Sequence, residues 1–295
     1  MPNIKNKVSK SKRAKPSSEL SAAMHRLGRN RTAMVGLTIF LILFALAVLA
    51  PWIMPYDYQS IDLQARFATP NAKHWFGCDE FGRDIFSRLL YGGRYSLTVG
   101  LLATGGALIV GVIMGSVAGF FGGWVDTILM RFLDIFQSIP GTLFTICVAA
   151  ALGTGFDKTI LALAITRSPG MARTLRASIM KTRNEEYVEA ARATGCGTLR
   201  TIIRYVLPNS FSPLLVQTTM GVAQTMLTTA SLSYIGLGIQ PPTPEWGAML
   251  SGAKNYIRDY PHMLLFPGLA IAITVLGLNM FGDGLRDALD PKLKD

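Results

Sequence analysis

Apolar runs long enough to cross a bilayer recur along this chain, and nothing else in it limits the possible folds so strongly. The first, residues 33–54, is apolar throughout until Pro51. As a helix it is long enough to cross ~30 Å of hydrocarbon. Further runs lie at 96–119, 127–152, 156–172, 209–235 and 263–281. Hydrophobic residues make up 50% of the chain and charged residues only 16%, well below the roughly 25% charge of soluble domains. The expected fold is therefore all-α, a polytopic membrane protein with six transmembrane helices.

The runs differ in character. Trp52 and Tyr56 suit the outer interface of the first. The second carries Gly111, Gly115 and Gly119 at four-residue spacing, a small-residue face on which another helix can approach closely. Pro140 falls inside the third, with Arg131 and Asp134 as expected interfacial anchors. The fourth is the weakest, with Lys158 at one end and Arg167-Ser168-Pro169 near the other. Arg167 is expected to snorkel or pair. The fifth is unusually polar: Gln217, Gly221, Gln224 and Thr228 fall on one helical stripe. Such a stripe either glues helices together or lines a wet translocation path. Two glutamines beside a glycine leave room as well as polarity, which favours the path.

The net charge of +11 is uneven, because residues 1–31 hold nine Lys/Arg against the single Glu19. Six spans put both termini on one side. With the basic tail inside, 20 of the 29 Lys/Arg lie on its side and 8 on the other, which places both termini in the cytoplasm. The tail precedes an apolar span, so membrane lipid rather than nucleic acid is its expected partner. Residues 1–19 are expected to be disordered and 21–31 to form a short surface helix. The expected organisation is a cytoplasmic tail at 1–31, a first transmembrane helix at 32–56 and an outer loop at 57–93. A five-helix core at 94–286 and a short cytoplasmic tail at 287–295 complete it. Cys78, Cys147 and Cys196 offer no disulfide framework, and His25, His74 and His262 fall in no metal-ligand spacing. No metal site is expected.

Between the fourth and fifth runs lies a segment, 185–208, that is too polar to enter the bilayer. Residues 185–194 read as one short helix of good formers. Gly195-Cys196-Gly197 supplies a stop and a turn. Thr198 can cap a second helix, with Leu199, Ile202, Ile203 and Val206 at helical spacing. Pro208 suits the first turn of the next span. The segment is either a solvated loop or a rigid two-helix knob able to dock into a groove of a soluble partner.

The chain lacks G-x-x-x-x-G-K-[ST], G-x-S-x-G and H-E-x-x-H patterns, so neither its own ATP hydrolysis nor a hydrolase activity is expected, and no catalytic residue is assigned. A membrane protein with a docking knob and no energy-coupling chemistry implies a separate motor. Three classes remain open: a permease driven by separate ATPases, a secondary transporter or channel without them, and a non-transporting scaffold.

Glu189-Ala190-Ala191, Gly195 and Leu207-Pro208 resemble the "EAA" loop of permease subunits in binding-protein-dependent ABC importers, with Tyr205 in place of the usual branched aliphatic. The segment from His74 to Asp84, with Ser87-Arg88 and Gly92-Gly93-Arg94, resembles an outer motif of the dipeptide/oligopeptide/nickel subfamily, with Cys78 in place of threonine. Residues 235–247 and 279–291 resemble its later outer loop and tail, and the first span with its basic tail fits the "C"-type permease of the pair.

The resemblance implies a type I importer permease fold with cytoplasmic coupling helices between spans four and five, in the bacterial cytoplasmic membrane. It implies ATPase coupling through Glu186, Tyr187, Glu189, Ala190, Ala191, Gly195, Leu207 and Pro208. Implied partners are a homologous permease, two cytoplasmic ATPases and an extracytoplasmic binding protein. ATP and Mg would sit on the ATPases and no cofactor on this chain. Gly77, Asp79, Gly82, Arg83 and Asp84 form the outer-loop motif. Its charges, with Glu80 and Arg88, either brace the loop or meet the binding protein; alternating signs at short spacing favour bracing.

Overall fold

The computed structural model describes residues 19–289, with side chains from Met24 onward. The expectations for residues 1–18 and 290–295 lie outside the described residues. No strand occurs among the described residues, only an isolated bridge between Cys78 and Asp84.

Helix α1 (Glu19–Arg29) leads into α2 (Arg31–Ile53). Asn30 caps α2, its side chain accepting from the Ala33 amide at 3.2 Å. Helix α3 (Ile85–Phe121) has 37 residues and begins well before the apolar run. Asp84 sets that start, one carboxylate oxygen accepting from both the Ser87 amide and its hydroxyl at 2.8 Å. The outer loop thus ends at Asp84, and residues 85–93 are helical rather than loop.

Gly122, at φ 67°, lets α3 turn directly into α4 (Gly123–Gln137). Helix α5 (Gly141–Leu152) follows at an angle of 87°. The expected third span is therefore broken. Pro140 has no N–H to continue the α4 ladder and disfavours helical backbone at Ile139. Helix α6 (Phe156–Thr182) runs straight through Ser168-Pro169 and beyond the expected end at 172. Pro169 cannot donate to the Ile165 carbonyl, but the Ser168 hydroxyl does so at 2.9 Å.

Next come α7 (Glu186–Ala193), α8 (Thr198–Thr201), a π turn over Ile202–Val206 and α9 (Leu207–Ser210). Helices α10 (Ser212–Tyr234), α11 (Trp246–Ala253) and α12 (His262–Leu289) complete the chain. Helix α11 interrupts the Pro/Gly-rich segment between α10 and α12. Its cap is Glu245, 1% exposed. The two carboxylate oxygens accept from the Gly247 amide at 2.9 Å and the Ala248 amide at 2.8 Å, and Ser96 of α3 donates to one of them at 3.1 Å. The Trp246 indole N–H donates to the Leu89 carbonyl at 2.8 Å. These bonds clamp the 236–261 loop onto α3.

Among the described residues, α2, α3 and α12 are each long and apolar enough to cross a membrane, and the bent pair α4–α5 together would make a fourth. Helices α6 and α10 have the length, 27 and 23 residues, but are more polar. The most extensive helix pair is α3 with α6, followed by α2 with α12 and α10 with α12. Polar ties fasten α4 to α6. Asp134 accepts from Arg173 at 2.6 Å, and Asp126 takes Arg176 with both oxygens. Asp134 is thus paired within the chain. Arg183 closes the end of α3 by donating to the Gly119 carbonyl at 2.8 Å.

Candidate functional site

The segment between α6 and α10 is built as a knob. Val188 is fully buried, packed with Leu175 and Ile179 of α6, Val206 and Leu214, and Ala191 is also buried. Glu186, Glu189 and Ala190 stand on the opposite, exposed side, with Tyr187 42% exposed. The pair Ala190-Ala191 is therefore split: Ala190 faces outward, and Ala191 permits close approach to the chain's own core.

Gly195, at φ 81°, ends α7. Its amide bonds the Arg192 carbonyl at 2.9 Å and the Cys196 amide bonds the Ala191 carbonyl at 3.0 Å. That is a Schellman stop, which favours glycine at this one position. Thr198 does not cap the second helix, since Gly197 occupies that position and offers no side chain. The expected apolar stripe also divides: Val206 is buried, whereas Leu199 and Ile203 are 70% and 57% exposed. Leu207 is half-buried and Pro208 exposed. An acidic helix, two exposed aliphatics and a rigid turn thus project from the end of α6.

A second feature is a wide-open cavity of about 480 Å³ between α6, α10 and α12. Gln217, Gly221 and Gln224 line it, as does Arg167, and Asn279 and Arg286 come from α12. Thr228 lies outside the lining, its hydroxyl donating to the Gln224 carbonyl at 2.9 Å. Arg167 makes no hydrogen bond or ion pair among the described residues. It sits against Gly221, where an added Cβ would come 3.1 Å from Nη2.

The outer loop satisfies its own charges. Asp79 accepts from the Arg83 side chain at 2.7 Å and from the amides of Phe81 and Arg83 at 2.9 and 3.0 Å. Arg88 lies 3.5 Å from the same carboxylate, and Glu80 lies 3.9 Å from Arg83. Gly82, at φ 77°, has the Asp62 carbonyl where a Cβ would stand, and Gly77 has the Ala68 carbonyl. The arrangement has the geometry of a brace. The His74 ring donates through Nδ1 to Asp84 at 2.9 Å, and the ligand atoms of His74, Cys78 and Asp84 lie within 4.8 Å of one another. Asp84 is engaged on both oxygens, by His74 and by the start of α3.

Burial, aided by Asp84 and Asp79, pushes the Cys78 thiol up to about 12. It is therefore far less thiolate at neutral pH than an ordinary thiol. Maleimide at pH 7 is expected to modify half-exposed Cys196 readily and Cys78 only after denaturation. Equal labelling rates, read by mass spectrometry, would contradict the burial.

The sequence-predicted residues therefore fall into three separate places: Glu186 to Pro208 on the knob, Gln217, Gly221 and Gln224 in the cavity, and Gly77 to Asp84 in the outer brace. Sequence reasoning missed Arg167, Asn279 and Arg286 as cavity residues. A charge within an apolar run was the available signal for Arg167.

Comparison with known proteins bears directly on these features. Residues 108–295 match the family described as "Binding-protein-dependent transport system inner membrane component", and residues 18–70 match the "N-terminal TM domain of oligopeptide transport permease C". The dipeptide transport system permease protein DppC of Alkalihalophilus pseudofirmus is 43% identical over 272 residues, covering 92% of this chain and 90% of that protein. The di/tripeptide permease DppC of Pseudomonas aeruginosa is 41% identical, covering 94% of each chain. The glutathione permease GsiD of Pectobacterium atrosepticum is 42% identical, covering 91% and 90%. Among solved structures, the inward-facing MetNI methionine ABC transporter aligns over 70% of this chain and 98% of its own, at TM-score 0.57 and 16% identity. That likeness concerns the fold alone. On the family match and these relatives, the chain belongs to the binding-protein-dependent transport system inner-membrane component family and is a permease subunit of an ATP-driven ABC importer, a transport subunit rather than an enzyme.

Proposed function

We propose that this chain is one of two homologous permeases of an importer for di- or oligopeptides or a related small solute such as glutathione or a nickel chelate. The observation that carries the reading is the knob: buried Val188 fastens α7 to α6, while Glu186, Glu189, Ala190, Leu199 and Ile203 face outward. Two cytoplasmic ATPases would receive it, and an extracytoplasmic binding protein would deliver solute to the other face. The chain would cross the cytoplasmic membrane six times, with α6 and α10 among the spans and both termini inside. ATP and Mg would be held by the ATPases. Closure of the motor would drag α7, tilt α6 and α10, and expose the cavity to the two sides of the membrane in turn.

Co-purification of the tagged chain from native membranes tests this. Two ATPases and a second permease are expected to accompany it, and the reconstituted assembly is expected to take up dialanine only with ATP and the binding protein. A chain that purifies alone and moves solute without ATP would be a secondary transporter, and the proposal would fall.

A further inference from the structure

We propose that Arg167, with Gln217, Gln224 and Asn279 around it, is an anion station in the transport cavity that engages the carboxylate of the passing solute. The proposal rests on reading that cavity as the transport path. Its starting point is an imbalance. Helix α6 carries three arginines, and two are paired, Arg173 with Asp134 and Arg176 with Asp126. Arg167 stands between them and the opposite end of the helix, midway along, with no hydrogen bond or ion pair among the described residues; its Nε is buried and without a partner.

The same holds for the Gln217 side-chain oxygen, buried and without a partner one helix away. The described lining holds two arginines, three amide side chains and one threonine, but no carboxylate. A partly buried charge is costly without a counter-charge or polar partners. Among the described residues the chain gives Arg167 neither, although it supplies a carboxylate to each other arginine of α6. Gly221 lies against the guanidinium, where an added Cβ would come 3.1 Å from Nη2.

The chemistry of the missing group follows from the fork. A guanidinium presents parallel N–H donors that match a carboxylate, and the neighbouring amides can donate to the same oxygens. A peptide or peptide-like solute with a free carboxylate fits such a station. A solute whose only charge is positive would be repelled. A permanent acidic partner would hold Arg167 shut, whereas a moving carboxylate pairs with it only during passage.

The test uses the assembled importer, with Cys147 and Cys196 replaced by serine and a reporter installed as Val216→Cys on the cavity wall. Buried Cys78 stays. Modification of the reporter is timed with an anionic and a cationic methanethiosulfonate of similar size. The anionic reagent is expected to be favoured about tenfold. The preference should vanish in Arg167→Gln and persist in Arg167→Lys, with the ATPases still co-purifying in both. ATP-driven uptake of dialanine should fall about tenfold in Arg167→Gln and recover in part in Arg167→Lys.

An unchanged reagent preference in Arg167→Gln would mean that another cation, such as Arg286 in the same lining, attracts the anion, and no preference in the parent would mean that an acidic group already neutralises Arg167; either result would overturn the proposal. Normal dialanine uptake by Arg167→Gln would also overturn it, while leaving the importer intact. If the parent assembly takes up no dialanine, the peptide reading fails instead, and the reagent preference still decides whether Arg167 offers the cavity an anion site.

Discussion

Glu189→Lys is expected to strip the ATPases from the purified assembly while leaving the permease folded. Glu189 is exposed, and its side chain makes no hydrogen bond or ion pair among the described residues. Its only structural contribution is a negative charge in the first turn of α7. Reversing it costs the helix ~0.3–1 kcal/mol, too little to unfold a membrane protein. At a docked interface the same reversal places like or unpaired charges together, at several kcal/mol, or roughly a hundredfold in affinity. Glu189→Gln separates the two effects: it keeps the size, removes the charge, and should weaken coupling less than the lysine does. Thermal unfolding of the permease should be unchanged within about 2 °C across the series. If the lysine variant retains its ATPases and its ATP-driven uptake, α7 is not the joint.

The second large effect is expected at Gly115. A Cβ there would lie 2.6 Å from the Ala172 carbonyl oxygen and 3.1 Å from the Leu175 side chain. Gly111 stands 2.6 Å from the Met171 Cβ in the same sense, and Gly119 2.9 Å from Ile179. Three glycines at four-residue spacing thus let α6 lie directly on α3. Gly115→Leu would force the most extensive helix pair apart, since a backbone carbonyl cannot swing away as a side chain can. Overpacking of a few methylenes costs ~1–3 kcal/mol in cores that can adjust, and this one adjusts poorly. The variant is expected to be lost from the membrane or to aggregate on extraction. Gly105→Ala, on the same helix with nothing within 4 Å, is the control and should behave as the parent. A Gly115→Leu protein as stable as the parent, by size-exclusion thermostability, would refute the packing account.

Polarity and glycine made the knob legible in sequence. A charged stretch cannot enter lipid, and Gly195 can stop a helix as few residues can. The small-residue face of α3 was legible for a related reason, because spacing by four marks one side of a helix. Hydropathy is blind to direction, however, so the 87° break at Pro140 passed as one straight span. It is equally blind to helix beyond the membrane. The signals for the early start of α3 and for α11 were Asp84 and Glu245, capping carboxylates whose partners are amides next in the chain. Glu245 is the harder case, because glutamate is a less usual cap and its second anchor, Ser96, is distant in sequence. The cavity was half legible: the stripe on α10 gave Gln217, Gly221 and Gln224. Arg167 and the α12 residues depend on how three helices meet, which no local pattern encodes.

Helix α6 also sets a mechanical ratio. It is unbroken from Phe156 to Thr182, because the Ser168 hydroxyl repairs the gap that Pro169 opens. The knob is bolted to one end through Val188, and Arg167 is carried at the middle. Fifteen residues of helix separate Arg167 from Thr182, a lever of ~22 Å, so a 10° tilt displaces one relative to the other by ~4 Å. That stroke exceeds the reach of a hydrogen bond. Engagement at the knob end of such a rod would make or break a grip at its centre without any relay of side chains in between.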